Sequence, residues 1–308
     1  MSAGWVAGSV RARALARRRL GAGAARQLAA SGSLRDAQQV LAATAYGRRV
    51  RPGQDLAETQ HQVAGALLWD LRVLAGWLPQ DGVRLLRVLA AWFELANVEE
   101  MLQALAGRPA DTEFELGALA TAWPRLRQAD SRAGLRAALA ASEWRDPGGD
   151  TDRAVRLGMR ARYAVRAAAL PAPVRGWAVA AMALLVAEER RTGGHAEGAV
   201  LDDAAGLLGP AALRAATLAD LAGGLPSSVR WVLNGVTTPD DLWRAETTWR
   251  SRVEQDGLLL LRTATLDSEA VLGAVAVMAC DAWRVRGALE VAARGGSAID
   301  VYQEVAGR

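Results

Sequence analysis

The chain of 308 residues has no lysine, a single cysteine and two histidines, and its only isoleucine is Ile299. With Cys280 alone, no disulfide within the chain and no thiolate metal cluster can form. Cys280 sits in the apolar stretch "VAVMACDAW", where a free cysteine reads as a small buried hydrophobe. His61 and His195 stand far apart with no motif around either, which removes a local zinc site and leaves a Ser-His-Asp triad without support. Long apolar runs are missing too. The longest, "WAVAAMALLVA" from Trp177 to Ala187, ends in Glu188-Glu189, well short of the ~20 residues that span a bilayer. No signal peptide is apparent, so the expected place is the cytoplasm.

All 37 basic side chains are arginines, set against 33 acids, for a formal charge of only +4. Lysine and isoleucine are the residues of AT-rich codons, so their joint scarcity reads as base composition and weakens any case for nucleic acid. The two signs are interspersed along most of the chain, as on a solvated surface. One segment departs from this. From Met1 to Arg35 there is no acid, while seven arginines occur, among them Arg11, Arg13, Arg17, Arg18, Arg19 and Arg26. A presequence, a polyanion-binding arm and an amphipathic helix with a basic face are the three readings open for it.

What is present is helix. Alanine and leucine dominate, and β-branched residues are few. After the basic first helix, Ser33 is an N-cap signal for a helix that stops at Gly47. A stripe of Val63, Leu67, Leu71, Leu74 and Leu78 predicts a helix from Asp55 to Leu78, ended by Pro79. The next runs from Asp81 to Gly107, about 40 Å at ~1.5 Å per residue. On its wheel Leu85, Val88, Trp92, Leu95 and Leu102 form one face, with Val83, Leu86, Phe93 and Met101 opposite, the pattern of a helix buried between layers. Glu94 and Asn97 interrupt it, and a buried amide must find partners, so Asn97 is expected to tie this helix to a neighbouring one. "GAGAAR" at Gly21 to Arg26 lacks the third glycine of a dinucleotide loop. "DPGGDTD" at Asp146 to Asp152 lacks calcium-loop spacing and reads as a turn capped by Thr151 or Asp152.

The long helix recurs. "PVRGWAVAAMALLVAEERRTGG" and "SEAVLGAVAVMACDAWRVRGALEVAARGG" are again long, apolar and closed by glycine, at Gly193 and Gly295 against Gly107 in the first. Each follows another predicted helix, which gives three helical subdomains at residues 1–110, 111–198 and 199–308. The period is too long for a tetratricopeptide or HEAT solenoid.

The order "VRARALARRRL", "LAATAYG", an Asp-initiated helix and "LLRVLAAWFELANVEEMLQALAGRP" resembles the C-subunit family of prokaryotic V/A-type rotary ATPases, whose eukaryotic counterpart is the d-subunit family of V-ATPases. Arg11, Arg13, Tyr46, Gly47, Glu94, Asn97 and Gly107 stand where that family's motif residues stand, with Glu94 in place of the commoner Asp. The match covers residues 5–110, and later parallels rest on placement. In the second and third repeats the Asp-x-x-Asn signature is replaced, Ala183 and Val186 standing there in the middle helix.

The resemblance implies an all-α fold of three similar helical subdomains, arranged as a funnel with pseudo-threefold symmetry. It implies a non-catalytic central-stalk adaptor, peripheral at the inner membrane, whose partners are the stalk subunits and the proteolipid ring. Such an adaptor couples the stalk to proton or sodium transport and needs no cofactor, metal, catalytic residue or small-molecule substrate. Most of the eleven tryptophans read as core, while Trp5, Trp231, Trp243 and Trp249 lie in more polar stretches and are the interface candidates. Two other classes remain: a basic helical nucleic-acid-binding or scaffold protein using Arg11 to Arg26, and a helical enzyme using Glu94 with Glu99 or Glu100.

Overall fold

A computed structural model describes residues 2–194, 197–263, 265–297 and 302; His195 and Ile299 lie outside them. The described residues are all-helical, with no strand among them. In chain order, α1 (Ala3–Ala16), α2 (Gly21–Ala29), α3 (Leu34–Ala42) and α4 (Leu56–Ala75) precede the long α5 (Gln80–Leu105). The short α6 (Trp123–Leu126) and α7 (Arg132–Ala140) lead to α8 (Asp152–Ala168) and α9 (Val174–Arg191). The third run is α10 (Gly198–Leu208), α11 (Pro210–Arg214), α12 (Leu218–Gly224), α13 (Leu242–Thr263) and α14 (Ser268–Ala293).

Caps mark these helices as the sequence suggests. Ser33, Asp55, Ser131, Thr151, Thr217 and Asp267 each accept a backbone N–H of the first turn they open. Thr151, not Asp152, is the cap after "DPGGD". The basic N-terminal segment forms two helices, α1 ending at Ala16 and α2 beginning at Gly21.

Helices α5, α9 and α14 end alike. Beyond α5, the N–H groups of Gly107 and Arg108 bond to Ala104 O (2.9 Å) and Gln103 O (3.0 Å). Gly193 and Gly194 repeat this on Arg190 O and Glu189 O, as do Gly295 and Gly296 on Ala292 O and Val291 O. The first glycine of each set has φ between 65° and 73°. This is the Schellman ending, in which a left-handed residue satisfies the last carbonyls, and glycine adopts it without a Cβ penalty.

The chain divides into two compact units, 1–84 with 250–308, and 85–249, and both boundaries fall inside long helices, α5 and α13. In the first unit the core gathers Leu28 and Ala29 of α2, Ala37 and Leu41 of α3, Val63 of α4, and Val285, Ala288, Leu289 and Ala292 of α14. Helix α14 is buried on nearly every side, consistent with its lack of a polar stripe. In the second unit α8 and α9 pack on each other and α10 packs against both; Met159 and Ala161 of α8 and Ala180, Met182 and Ala183 of α9 are buried.

No helix among the described residues is long and apolar enough to cross a membrane.

Candidate functional site

Glu94 and Asn97 are both buried, 1% exposed each. A carboxylate taken out of water needs several strong donors. Glu94 has three: the backbone N–H of Thr121 (2.7 Å), that of Ala122 (2.9 Å) and the indole Nε1–H of Trp144 (2.5 Å). Asn97 receives the Phe114 N–H on its amide oxygen (2.6 Å) and donates Nδ2–H to Phe114 O (2.9 Å). One turn on, Glu100 accepts from Asp111 N (2.7 Å), and near the other end Arg87 donates to Ala118 O (2.8 Å). Arg87, Glu94, Asn97 and Glu100 are spaced seven, three and three apart, which puts them on one helix face.

The partner of that face differs from the expected neighbouring helix. It is the chain's own segment 111–122, which leaves α5 at Gly107 and runs back along it without a helical ladder of its own over most of its length. Its N–H and C=O groups need partners, and the polar face of α5 supplies them. Phe114 is further held by an edge-on contact to Phe93, ring centres 5.2 Å apart. Glu99 meets Arg160 (2.8 Å) instead, so Glu94, Glu99 and Glu100 are separately engaged and form no shared acid cluster.

A second buried carboxylate does the same in the first unit. Asp281, on α14 and 1% exposed, accepts from Leu20 N (2.9 Å), Gly21 N (2.7 Å) and the Tyr46 hydroxyl (2.8 Å). Both acids thus take two consecutive backbone N–H groups at the start of a following or preceding short helix, α6 for Glu94 and α2 for Asp281, and one aromatic donor. At the N-terminus of α2 the carboxylate also meets the positive end of the helix dipole. This clamp sits at the break between α1 and α2, where Gly21 has φ 81°. Three residues on, where α5 carries Asn97, α14 carries Arg284, paired with Glu254 (2.5 Å) and with its carbonyl bonded to the Tyr302 hydroxyl (3.1 Å).

The aromatic donors also sit in matched surroundings. Tyr46 follows the nine-residue α3, capped by Ser33; Trp144 follows the nine-residue α7, capped by Ser131. Between cap and aromatic, Thr44 Oγ1 donates to Leu41 O (2.7 Å) and accepts from Tyr46 N (3.2 Å). Ser142 Oγ makes the same pair with Leu139 O (2.7 Å) and Trp144 N (3.1 Å). Cap, hydroxyl and aromatic are each 98 residues from their counterparts. A shorter version recurs at Thr217, which caps α12, and Trp231, whose indole donates to Ser228 O (3.0 Å). In α9 the residue thirteen before the closing Gly193 is the buried Ala180.

Asp281 is thus held in α14 much as Glu94 is held in α5, with Arg284 three residues on. Sequence reasoning passed over Asp281, Trp144 and the clamped backbone. A signal was present, since Glu94 lies thirteen residues before Gly107 and Asp281 fourteen before Gly295.

The other motif positions are placed as follows. Arg13 reaches from α1 to the carbonyls of Leu261 (3.4 Å) and Thr265 (3.3 Å) near the end of α13, where a cation is favoured by the helix dipole. The Arg11 guanidinium lies 6.0 Å from the centre of the Trp77 ring. Gly47 sits where a Cβ would come within 2.0 Å of Ala42 O, so no side chain fits. Burial pushes the Tyr46 phenol well above its ordinary value, and the charge of Asp281 adds to this. The phenol is therefore a fixed donor and not a proton carrier at neutral pH. Beside Asp281 and Tyr46 is a cavity of about 30 Å³, room for about one water and for no substrate.

Of the four tryptophans expected at an interface, Trp243 is exposed. Trp5, Trp231 and Trp249 are half-buried, with indole N–H groups on Asp81, Ser228 O and Trp177 O. The more exposed rings are Trp69, Trp77 and Trp92; Trp92, expected on a buried face, is 44% exposed. No family model matches the chain, and no curated protein matches it.

Proposed function

We propose that this chain is a non-catalytic adaptor of a V/A-type rotary ATPase, coupling the central stalk to the membrane proteolipid ring in proton or sodium transport. In this reading residues 1–110, 111–198 and 199–308 are three similar helical subdomains, arranged as a funnel with pseudo-threefold symmetry. The protein acts in the cytoplasm, peripheral at the inner membrane.

The observation that carries the reading is the repeated clamp. The acid of the first long helix, Glu94, holds the start of the second repeat at Thr121, Ala122 and Trp144. The acid of the third, Asp281, holds the start of the first at Leu20, Gly21 and Tyr46. In a ring of three repeats each would hold the next and the last the first, and the two clamps supply two of these three links. Charge-assisted bonds of buried groups make such ties stiff, which suits a part that transmits torque. The role calls for no nucleophile, and both acids are saturated by structural donors.

The test is a pull-down of the tagged full chain from native membranes. Recovery of the proteolipid ring or of stalk subunits supports the adaptor; clean recovery of the chain without any rotary-motor subunit overturns it. The alternative, a basic helical nucleic-acid-binding or scaffold protein, draws on the acid-free segment from Met1 to Arg35. It requires binding to duplex or single strands that falls steeply with salt.

A further inference from the structure

We propose that the cleft between α1 and the second half of α13 binds a ligand through a phosphate or diphosphate group. The cleft has a volume of about 380 Å³ and lies within the first unit. Arg13, Arg17 and Arg19 of α1 and the turn after it and Arg262 of α13 line it, with Leu258 and Leu261 as its apolar wall, and no carboxylate lines it.

Four guanidinium groups facing one partly apolar cleft repel one another, and the aliphatic wall lowers the local screening that would relieve this. Elsewhere on α13, Arg244 meets Asp241 (2.9 Å) and Arg252 meets Asp256 (3.0 Å). Among the described residues no carboxylate partner meets Arg17 or Arg262, and both side chains are exposed at the cleft. The end of α13 accounts for Arg13, which sits on its carbonyls, but not for the other three.

Two of the groups are also aimed in advance. Arg13 is anchored on Leu261 O and Thr265 O, and Arg19 donates to Ala16 O (3.0 Å). Preorganised guanidinium forks bind phosphate oxygens bidentately. A phosphate monoester carries about −1.5 to −2 at neutral pH, so it offsets several arginines where a single carboxylate would offset one. The leucine wall suits the hydrocarbon part next to the phosphate. A soluble phosphoester and the headgroup of an acidic lipid share this chemistry.

The test uses the full chain and two probes. Calorimetric titration with inorganic pyrophosphate reads the soluble source. Flotation with phosphatidylcholine vesicles, with and without phosphatidic acid, reads the lipid source. The double variant Arg17→Gln with Arg262→Gln should bind its probe roughly tenfold more weakly or worse, as expected for losing charged hydrogen bonds. Both positions are exposed, so its melting curve should match the parent.

A charge-matched control, Arg35→Gln with Arg294→Gln, lies outside the cleft and should bind as the parent does. Binding of either probe with this pattern supports the site and names its source. No binding of either probe, or equal loss in both double variants, overturns it. Tight binding of duplex DNA with a salt slope of many phosphates, unchanged by Arg17→Gln with Arg262→Gln, also overturns it.

Discussion

Glu94 accounts for its own presence in an apolar helix once its donors are counted. Removing the carboxylate would leave two backbone N–H groups and an indole N–H buried without an acceptor, each worth ~1–3 kcal/mol. Glu94→Ala is therefore expected to lower stability by about 3–5 kcal/mol. Asn97→Leu, which orphans the N–H and C=O of Phe114, should cost about 1–3 kcal/mol. Urea denaturation measures both. A loss below ~0.5 kcal/mol for Glu94→Ala would mean the clamp contributes nothing. At Gly47 the constraint is steric. Gly47→Ala forces a Cβ against the backbone at Ala42 and should cost about 3 kcal/mol, the scale of severe overpacking. Gly23→Ala is the control: nothing lies within 4 Å, and within α2 alanine should gain up to ~1 kcal/mol. Equal effects at the two sites would refute the steric account.

Among the helices, several starts and stops were legible in the sequence because they depend on neighbours a few residues away, though the helix expected to reach Gly47 ends at Ala42. Ser33, Asp55 and Thr151 cap as their positions suggest, and Gly107, Gly193 and Gly295 close helices in one shared geometry. The acceptor for the N–H groups at the break between α1 and α2 was not legible, since Asp281 lies some 260 residues away. Nor was the return of segment 111–122 along α5, which is a matter of which backbone groups lack partners. Wheel geometry likewise could not tell that Trp92 faces outward, for a helix with two apolar faces leaves open which neighbour covers each.

Helix α14 offers a measurable consequence of its packing. Cys280 is buried in it, and burial pushes the thiol up to about 12. The thiolate is the reactive form. The protein's one cysteine should thus react with an aromatic disulfide reagent at neutral pH only as fast as the helix opens, and readily once urea unfolds the chain. Stoichiometric labelling of the folded protein within seconds would contradict the packing of α13 and α14.

For the whole molecule, all three tyrosines are shifted the same way. Tyr46 is raised by burial and by Asp281; burial pushes Tyr163 up to about 12 and raises Tyr302 as well. A phenol whose folded value exceeds its unfolded value of ~10 favours the fold fully below pH 10 and loses that contribution as pH climbs toward the folded value. Phenolate absorbance should therefore stay absent through pH 10 and appear together with loss of helical circular dichroism above it. Because Tyr163 belongs to one unit and Tyr46 and Tyr302 to the other, the signal reports both. A smooth titration centred on 10 with helicity intact would show the phenols to be accessible.

The helical class, the caps and glycine stops, the recurrence of a long apolar helix and the exclusion of disulfides all follow from the order of residues alone, since composition, short-range spacing and periodicity carry that information. The packed molecule adds that Glu94 and Asp281 perform one task in two places, that Tyr46 and Trp144 are equivalent donors, and that four arginines from two distant segments line one cleft. These depend on which backbone groups are left without partners after the helices form, and on side chains brought together across hundreds of residues. No local pattern encodes either.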